Sequence, residues 1–292
     1  MANRSWLFVP GDSERKLAKA PEIGADAIIV DLEDAVAVEA KPAARELAAE
    51  WLSAHRQQVA TRRFERWVRI NPLDTPFWRD DLQAAMRGSP DGIVLPKSAG
   101  PEQVRQLSAE IYELEQRSGI AVGATRIVPL VSETAAAAIT IGAYAEVPLP
   151  RLGGLMWGAE DLSAAIGASR KYGVDGNWTA TFRMVRATVL LTAHACGVPA
   201  IETLHADFRD DGGLVWLAAA ARADGFSGML AIHPGQVAPI NSAFTPSEAE
   251  LTEARAIVAA FAAAPGAGVV ALDGKMLDQP HLRLARRILG EE

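Results

Sequence analysis

Glu133 and Asp161 each follow an apolar run, 127–131 and 152–157, where a helix-like run begins. Two acids 28 positions apart (161 − 133), each ending a strand, can converge on one hard cation when those strands lie near each other. Glu160 stands beside Asp161, so Met156-Trp-Gly-Ala-Glu-Asp-Leu-Ser163 reads as strand, turn, acid. Other polar residues close apolar runs elsewhere: Asp31, Glu33 and Asp34, then Arg69 and Asn71, Lys97, Glu202 and His205, and His233. Acids on several strands with no cysteine cluster favour a hard divalent ion over zinc. Magnesium fits best, because it keeps waters, takes one or two protein carboxylates and leaves positions for substrate oxygens; manganese is the alternative.

Each of these residues also has an ordinary structural use. Asp161 can cap the helix beginning near Leu162, and Glu133 can stabilise the start of the alanine-rich helix after it. Arg69 on an apolar strand is costly unless paired, which points to Glu33 or Asp34 as its partner. His205 and His233 sit where rim histidines usually satisfy local hydrogen bonds, and Cys196 lies in a helical pattern that reads as core. Arg15, Lys16 and Lys19 form a cationic cluster after the first apolar run. Such a cluster is a solvated helix face or, near a barrel mouth, a holder for the phosphates of a large cofactor-like substrate.

These side chains meet only if their strands are brought together. Eight short runs end in polar or Gly/Pro punctuation: 5–9, 27–32, 66–70, 92–95, 127–131, 152–157, 200–204 and 229–232. Helical patterns lie between most of them. Ala44, Leu47, Ala48, Trp51 and Leu52 share a face behind Pro42, and Val104, Leu107, Ile111 and Leu114 do so behind Pro101. The alternation predicts an α/β fold of parallel strands joined by helical crossovers, a (β/α)8 TIM barrel with catalytic groups at the C-terminal strand ends. A doubly wound open sheet is the alternative, but Pro10-Gly11-Asp12-Ser13 after the first strand is no dinucleotide-binding glycine turn.

The barrel is expected over 1–243 as the catalytic domain, with 244–292 as a C-terminal helical extension that serves as a lid, a subunit-crossing segment or a packing arm. Thr245-Pro246-Ser247-Glu248 reads as a capping box, after which Leu251, Ala254, Val258 and Phe261 share a face. Ala264-Pro265-Gly266 stops that helix, ahead of an apolar run at 269–272 and a basic helix at 280–289.

Composition narrows the partners. The chain has 292 residues, 49% of them hydrophobic and 22% charged, which suits a soluble globular protein. A net charge of −7 argues against general affinity for nucleic acid or an anionic membrane. One cysteine cannot form an internal disulfide, and no signal-peptide core follows Met1, so a reducing, cytoplasmic location is expected. The longest uncharged apolar stretches, such as 187–201, fall short of the ~20 residues a membrane span needs.

Taken together the motifs resemble the CoA-ester lyases of the citrate lyase β-subunit group, the malyl-CoA and citramalyl-CoA lyases, within the HpcH/HpaI aldolase superfamily. The matching segments are Arg4-Ser-Trp-Leu-Phe-Val-Pro-Gly, Asp31-Leu-Glu-Asp-Ala-Val, Val68-Arg-Ile-Asn, Leu95-Pro-Lys, Glu133-Thr-Ala, Gly158-Ala-Glu-Asp-Leu and Ala231-Ile-His-Pro-Gly-Gln. The resemblance implies a TIM barrel, usually trimeric or hexameric, with Mg2+ on Glu133 and Asp161 and with Arg69 facing a thioester. It implies CoA passing over Arg15, Lys16 and Lys19. It also implies an acid, Asp278, on a C-terminal segment, Gly274-Lys-Met-Leu-Asp-Gln-Pro, that closes over a neighbouring subunit. The plain structural use of Asp278 is to stabilise the start of the helix at Pro280.

The expected reaction is reversible C–C cleavage of a β-hydroxyacyl-CoA to an acyl-CoA and a 2-oxoacid. Glu33 and Asp34 would orient Arg69 and metal-bound waters, while Gly158, Ala159 and Glu160 form a turn whose N–H groups meet a substrate carboxylate. Thioester hydrolysis is a related activity at the same site. Two departures, Glu202-Thr203-Leu204 where the family often has Asp and an aromatic, and Met229 where lysine is common, bear on the acyl group. The alternatives are a CoA-independent metal aldolase on free hydroxyacids and a citrate lyase β-type subunit working with an acyl-carrier partner.

Overall fold

The computed structural model describes residues 3–56 and 64–291. Eight strands form one sheet: β1 (Ser5–Pro10), β2 (Ala27–Asp31), β3 (Glu65–Arg69), β4 (Gly92–Leu95), β5 (Arg126–Pro129), β6 (Leu155–Met156), β7 (Ala200–Glu202) and β8 (Gly228–Ala231). The order is β5-β4-β3-β2-β1-β8-β7-β6, and every pairing is parallel. The two edges, β5 and β6, meet through single parallel bridges at Ile127–Leu152 and Leu130–Met156, so the sheet is nearly closed into a barrel. The run at 152–157 is a strand only over Leu155–Met156. A side chain at Gly154 would stand 2.7 Å from Ile201 Cδ1 and 3.1 Å from the Pro199 carbonyl, so the approach to β6 is made by glycine.

Crossover helices surround the strands: α1 (Glu14–Lys19), α2 (Lys41–Ala54), α3 (Trp78–Arg87), α4 (Pro101–Ser118), α5 (Ala135–Ile139), α6 (Ala159–Ile166), α7 (Ala180–Ala195), α8 (Asp211–Asp224) and α9 (Val237–Ala243). Strand alternation sorts the core into two layers. Trp6, Ala27, Ile29, Trp67, Val94, Val128, Met156, Ile201 and Leu230 fill the barrel interior, while Leu7, Ile28, Val30, Val68 and Ile93 meet the helices. Gly92 makes room inside, since a Cβ there would stand 2.0 Å from the Trp67 ring. Cys196 is the C-cap of α7 and only partly buried, packed against the core rather than within it.

The chain divides into two compact units after Phe244. The second holds α10 (Glu248–Ala263), β9 (Val269–Leu272), β10 (Lys275–Asp278) and α11 (Gln279–Leu289), around Phe261, Leu277 and Leu282. Its first cap differs from the sequence expectation. Ser247, not Thr245, is the N-cap, and its Oγ and N–H exchange hydrogen bonds with the N–H and carboxylate of Glu250. β9 and β10 form an antiparallel hairpin turned by Asp273 and Gly274, both at positive φ (49° and 75°), the backbone a two-residue hairpin loop needs. Among the described residues no helix is long and apolar enough to cross a membrane.

Candidate active site

The interior row of side chains continues upward into charge. Asp31 and Arg69 end β2 and β3 directly opposite each other in register, on the same inward face as Ile29 and Trp67. Arg69 Nε donates to Asp31 Oδ1 at 2.7 Å and a terminal nitrogen to Oδ2 at 2.6 Å, a two-point pair. Its other terminal nitrogen lies 2.8 Å from Glu33 Oε2, and the guanidinium stands over the Phe8 ring at 4.7 Å. The partners are therefore Asp31 and Glu33 rather than Glu33 or Asp34. The reason is register: Asp31 faces Arg69 across the ladder, whereas Asp34 lies out on the loop and is exposed. Burial opposes the Arg69 charge, but Asp31, Glu33 and Glu133 together hold its pKa far above the ordinary value. Arg69 is a permanent, immobilised cation.

The loop after β2 is held from beneath. The buried Lys41 ammonium donates to the Leu32 and Glu33 carbonyls at 2.8 and 3.0 Å, and Asn71 Nδ2 bonds the Leu32 carbonyl and the Asp81 carboxylate. Lys41 carries no signal in the sequence. A lysine beside a helix-starting proline looks like an ordinary surface charge, and nothing local reveals its burial.

Glu133 and Asp161 come together around Lys97. The Lys97 N–H donates to Glu133 Oε2 at 2.5 Å. Its ammonium is hydrogen-bonded to Glu33 Oε1 and lies 3.3 Å from Asp34 Oδ2 and 3.5 Å from Asp161 Oδ1. Neither acid serves as a helix cap: Thr134 Oγ1 caps α5, and Gly158 is the N-cap of α6. Glu133 is 3% exposed, and burial, then the like charge of Asp161, push its pKa up to about 8. A buried carboxylate with a second carboxylate beside it suits a divalent cation shared by the two. Gly158 preserves the space, because a Cβ there would stand 2.9 Å from Glu133 Cγ and 3.1 Å from Oε1. Among the described residues no three His, Cys, Asp or Glu side chains are grouped as metal ligands. A pair of carboxylates with room for waters is the donor set magnesium takes.

The remaining candidates separate. The Gly158 and Ala159 N–H groups donate to Ser132 Oγ at 3.1 Å and Thr203 Oγ1 at 3.3 Å, so those two are already engaged. Glu160 bonds Lys171 and ties α6 to the segment before α7. Arg15 and Lys16 are exposed on α1, as is Lys19, on the helix that follows the C-terminal end of β1. His205 pairs with Asp210 at 3.2 Å, and His233 caps the turn at Pro234 while stacking on Phe208, structural uses for both. Asp278 belongs to the second unit. It is the N-cap of α11 and accepts from His281 Nδ1 at 2.5 Å, a contact that holds its carboxyl below the usual range.

A model of the HpcH/HpaI aldolase/citrate lyase family matches residues 4–234. The chain is 36% identical over 289 residues to a citrate lyase subunit beta-like protein of Mycobacterium tuberculosis, covering 99% of this chain and 95% of that one. It is 32% identical over 297 residues to the mitochondrial citramalyl-CoA lyase of Mus musculus, covering 98% and 85%. Among solved structures, CitE of Mycobacterium tuberculosis in complex with magnesium, acetoacetate and coenzyme A superposes with a TM-score of 0.80 at 34% identity, covering 99% of this chain and 98% of that one.

Proposed function

The chain belongs to the HpcH/HpaI aldolase/citrate lyase family, and from that premise we propose that it is a magnesium-dependent carbon–carbon lyase. Its substrate is a β-hydroxyacyl-CoA such as malyl-CoA or citramalyl-CoA, which it cleaves to, or forms from, an acyl-CoA and a 2-oxoacid. The observation that carries the reading is a permanently charged arginine, fixed at two points by Asp31, beside two like-charged acids, the buried Glu133 and the half-buried Asp161. The names of the citramalyl-CoA lyase and of the magnesium, acetoacetate and coenzyme A complex support the substrate class.

Glu133 and Asp161 would hold the magnesium ion, which would supply Lewis acidity toward the oxygens of the oxoacid portion. As the hydroxyl becomes a carbonyl it gives its proton to water, and the electrons of the breaking C–C bond pass to the carbon next to the thioester and come to rest on the thioester oxygen. Arg69 donates to that oxygen, and its immobility means that no reorganisation is needed as the charge appears. Glu33 sets the outer face of the guanidinium, and Asp34 adds negative charge on the open side of the loop. Asp278, hydrogen-bonded by His281, accepts a proton from the acyl-CoA carbon in the condensing direction; in cleavage it passes to that carbon a proton taken up from water. A trimer or hexamer in which Asp278 serves a neighbouring copy's barrel, with Arg15, Lys16 and Lys19 meeting the CoA phosphates, belongs to the same proposal. The test is a screen of purified protein with Mg2+ against a panel of β-hydroxyacyl-CoA thioesters, reading both 2-oxoacid and free thiol. Thiol without 2-oxoacid would identify hydrolysis instead.

A further inference from the structure

Two cations stand among the acids of this site, and they differ in freedom. Arg69 is 12% exposed and held by two carboxylates in a planar fork. Lys97 is 31% exposed, and its ammonium hangs on a flexible stem between Glu33, Asp34 and Asp161. Its backbone is the fixed part. Lys97 sits at φ 48°, a left-handed conformation costly for a side-chain-bearing residue, and its N–H donates to Glu133. Main chain and side chain thus reach the two proposed metal ligands separately, the N–H to Glu133 and the ammonium to Asp161.

An ammonium 3.5 Å from an Asp161 oxygen and a divalent cation on that same carboxylate repel each other strongly. Arg69 cannot yield without breaking its two-point pair with buried Asp31, whereas the more exposed Lys97 swings toward solvent by side-chain rotation at the cost of its one-point contact with Glu33. We propose that Lys97 is the site's resident cation, neutralising Glu33 and Asp161 in the metal-free protein and giving way when a divalent ion binds. Lys97 therefore weakens metal affinity while stabilising the metal-free fold. The inference rests on the assignment of Glu133 and Asp161 as the metal pair.

Isothermal titration of the full-length, chelator-stripped protein with MgCl2 tests it, alongside thermal unfolding in EDTA and in saturating Mg2+. Lys97→Met keeps the side-chain length and removes the charge. It is expected to bind Mg2+ about tenfold tighter or more, with a lower melting temperature in EDTA and a larger rise on adding Mg2+. Lys97→Arg, which keeps the charge, stays within about threefold of wild type. A Lys97→Met protein that folds only with Mg2+ also supports the inference; if it folds in neither condition, Lys97→Gln carries the same comparison. Equal or weaker Mg2+ binding by the neutral variant overturns it. Loss of binding in Asp161→Ala with Lys97→Met unchanged overturns this inference alone, whereas equal binding by wild type and Asp161→Ala overturns the metal site itself.

Discussion

Asp31 and Arg69 face each other across neighbouring strands and share two hydrogen bonds, at 2.7 and 2.6 Å, with the carboxylate 2% and the guanidinium 12% exposed. Breaking a buried pair by removing one member costs roughly 3–5 kcal/mol, here toward the lower end because Glu33 still faces Arg69. Asp31→Asn should therefore lower unfolding stability by about 3 kcal/mol and loosen Arg69, and urea denaturation checks the first effect. An unchanged midpoint would show that the pair does not hold the arginine.

Gly158→Ala separates space from strain. The residue has φ −116°, which any side chain tolerates, so the only new feature is a Cβ 2.9 Å from Glu133 Cγ. Glu133 must shift, and Mg2+ affinity by calorimetry should fall about tenfold or more while the circular dichroism spectrum is retained. Wild-type affinity in this variant would mean that Glu133 is not a ligand.

Glu115, on the rim opposite the site, makes stability sensitive to acid. Burial raises the pKa of Glu115, but hydrogen bonds from Arg151 and from the Thr125 and Gly123 N–H groups outweigh it and leave the carboxyl below its ordinary value of 4.5. A depressed folded pKa contributes stability that is present above the unfolded value and lost as pH falls through the folded one. Glu115→Gln should cost about 3 kcal/mol at pH 7 and flatten the loss of stability below pH 4.5, as followed by denaturation at stepped pH. A variant that keeps the full acid-dependent loss would place its origin elsewhere.

Arg15 and Lys16 are exposed, so their worth lies in what they meet. The double change Arg15→Ala, Lys16→Ala should weaken CoA binding by roughly threefold to tenfold, more at low salt, and leave stability within about 0.5 kcal/mol. Silence in a CoA titration would favour an aldolase working on free hydroxyacids.

Much of this was legible from residue order. Eight runs with polar ends predicted the barrel, and Arg69, Glu133 and Asp161 were marked because each stands where such a run stops. Of the expected partners of Arg69, Glu33 is one, while Asp31, its two-point partner, follows from the strand register. With Ile29 and Trp67 inside, alternation places Asp31 and Arg69 on the same inward face, and that parity was readable. The hairpin of β9 and β10 had its signal in Asp273-Gly274 between apolar runs. Lys41 and the reach of the Lys97 ammonium had none, because burial and long-range proximity arise only when the loops after β2 and β4 are folded side by side. The turn at Gly158 likewise looked open for a substrate carboxylate until Ser132 and Thr203, remote in sequence, supplied its acceptors.

The central claim is Mg2+-dependent cleavage of a C–C bond through Glu133, Asp161 and Arg69. Its most direct measurement is 2-oxoacid release from malyl-CoA and citramalyl-CoA by the purified wild-type protein, with Glu133→Ala and Asp161→Ala assayed in parallel. One 2-oxoacid per acyl-CoA formed is expected, abolished by EDTA and by either substitution. Full activity in Glu133→Ala or Asp161→Ala, or no 2-oxoacid from any thioester in the presence of Mg2+, would contradict it.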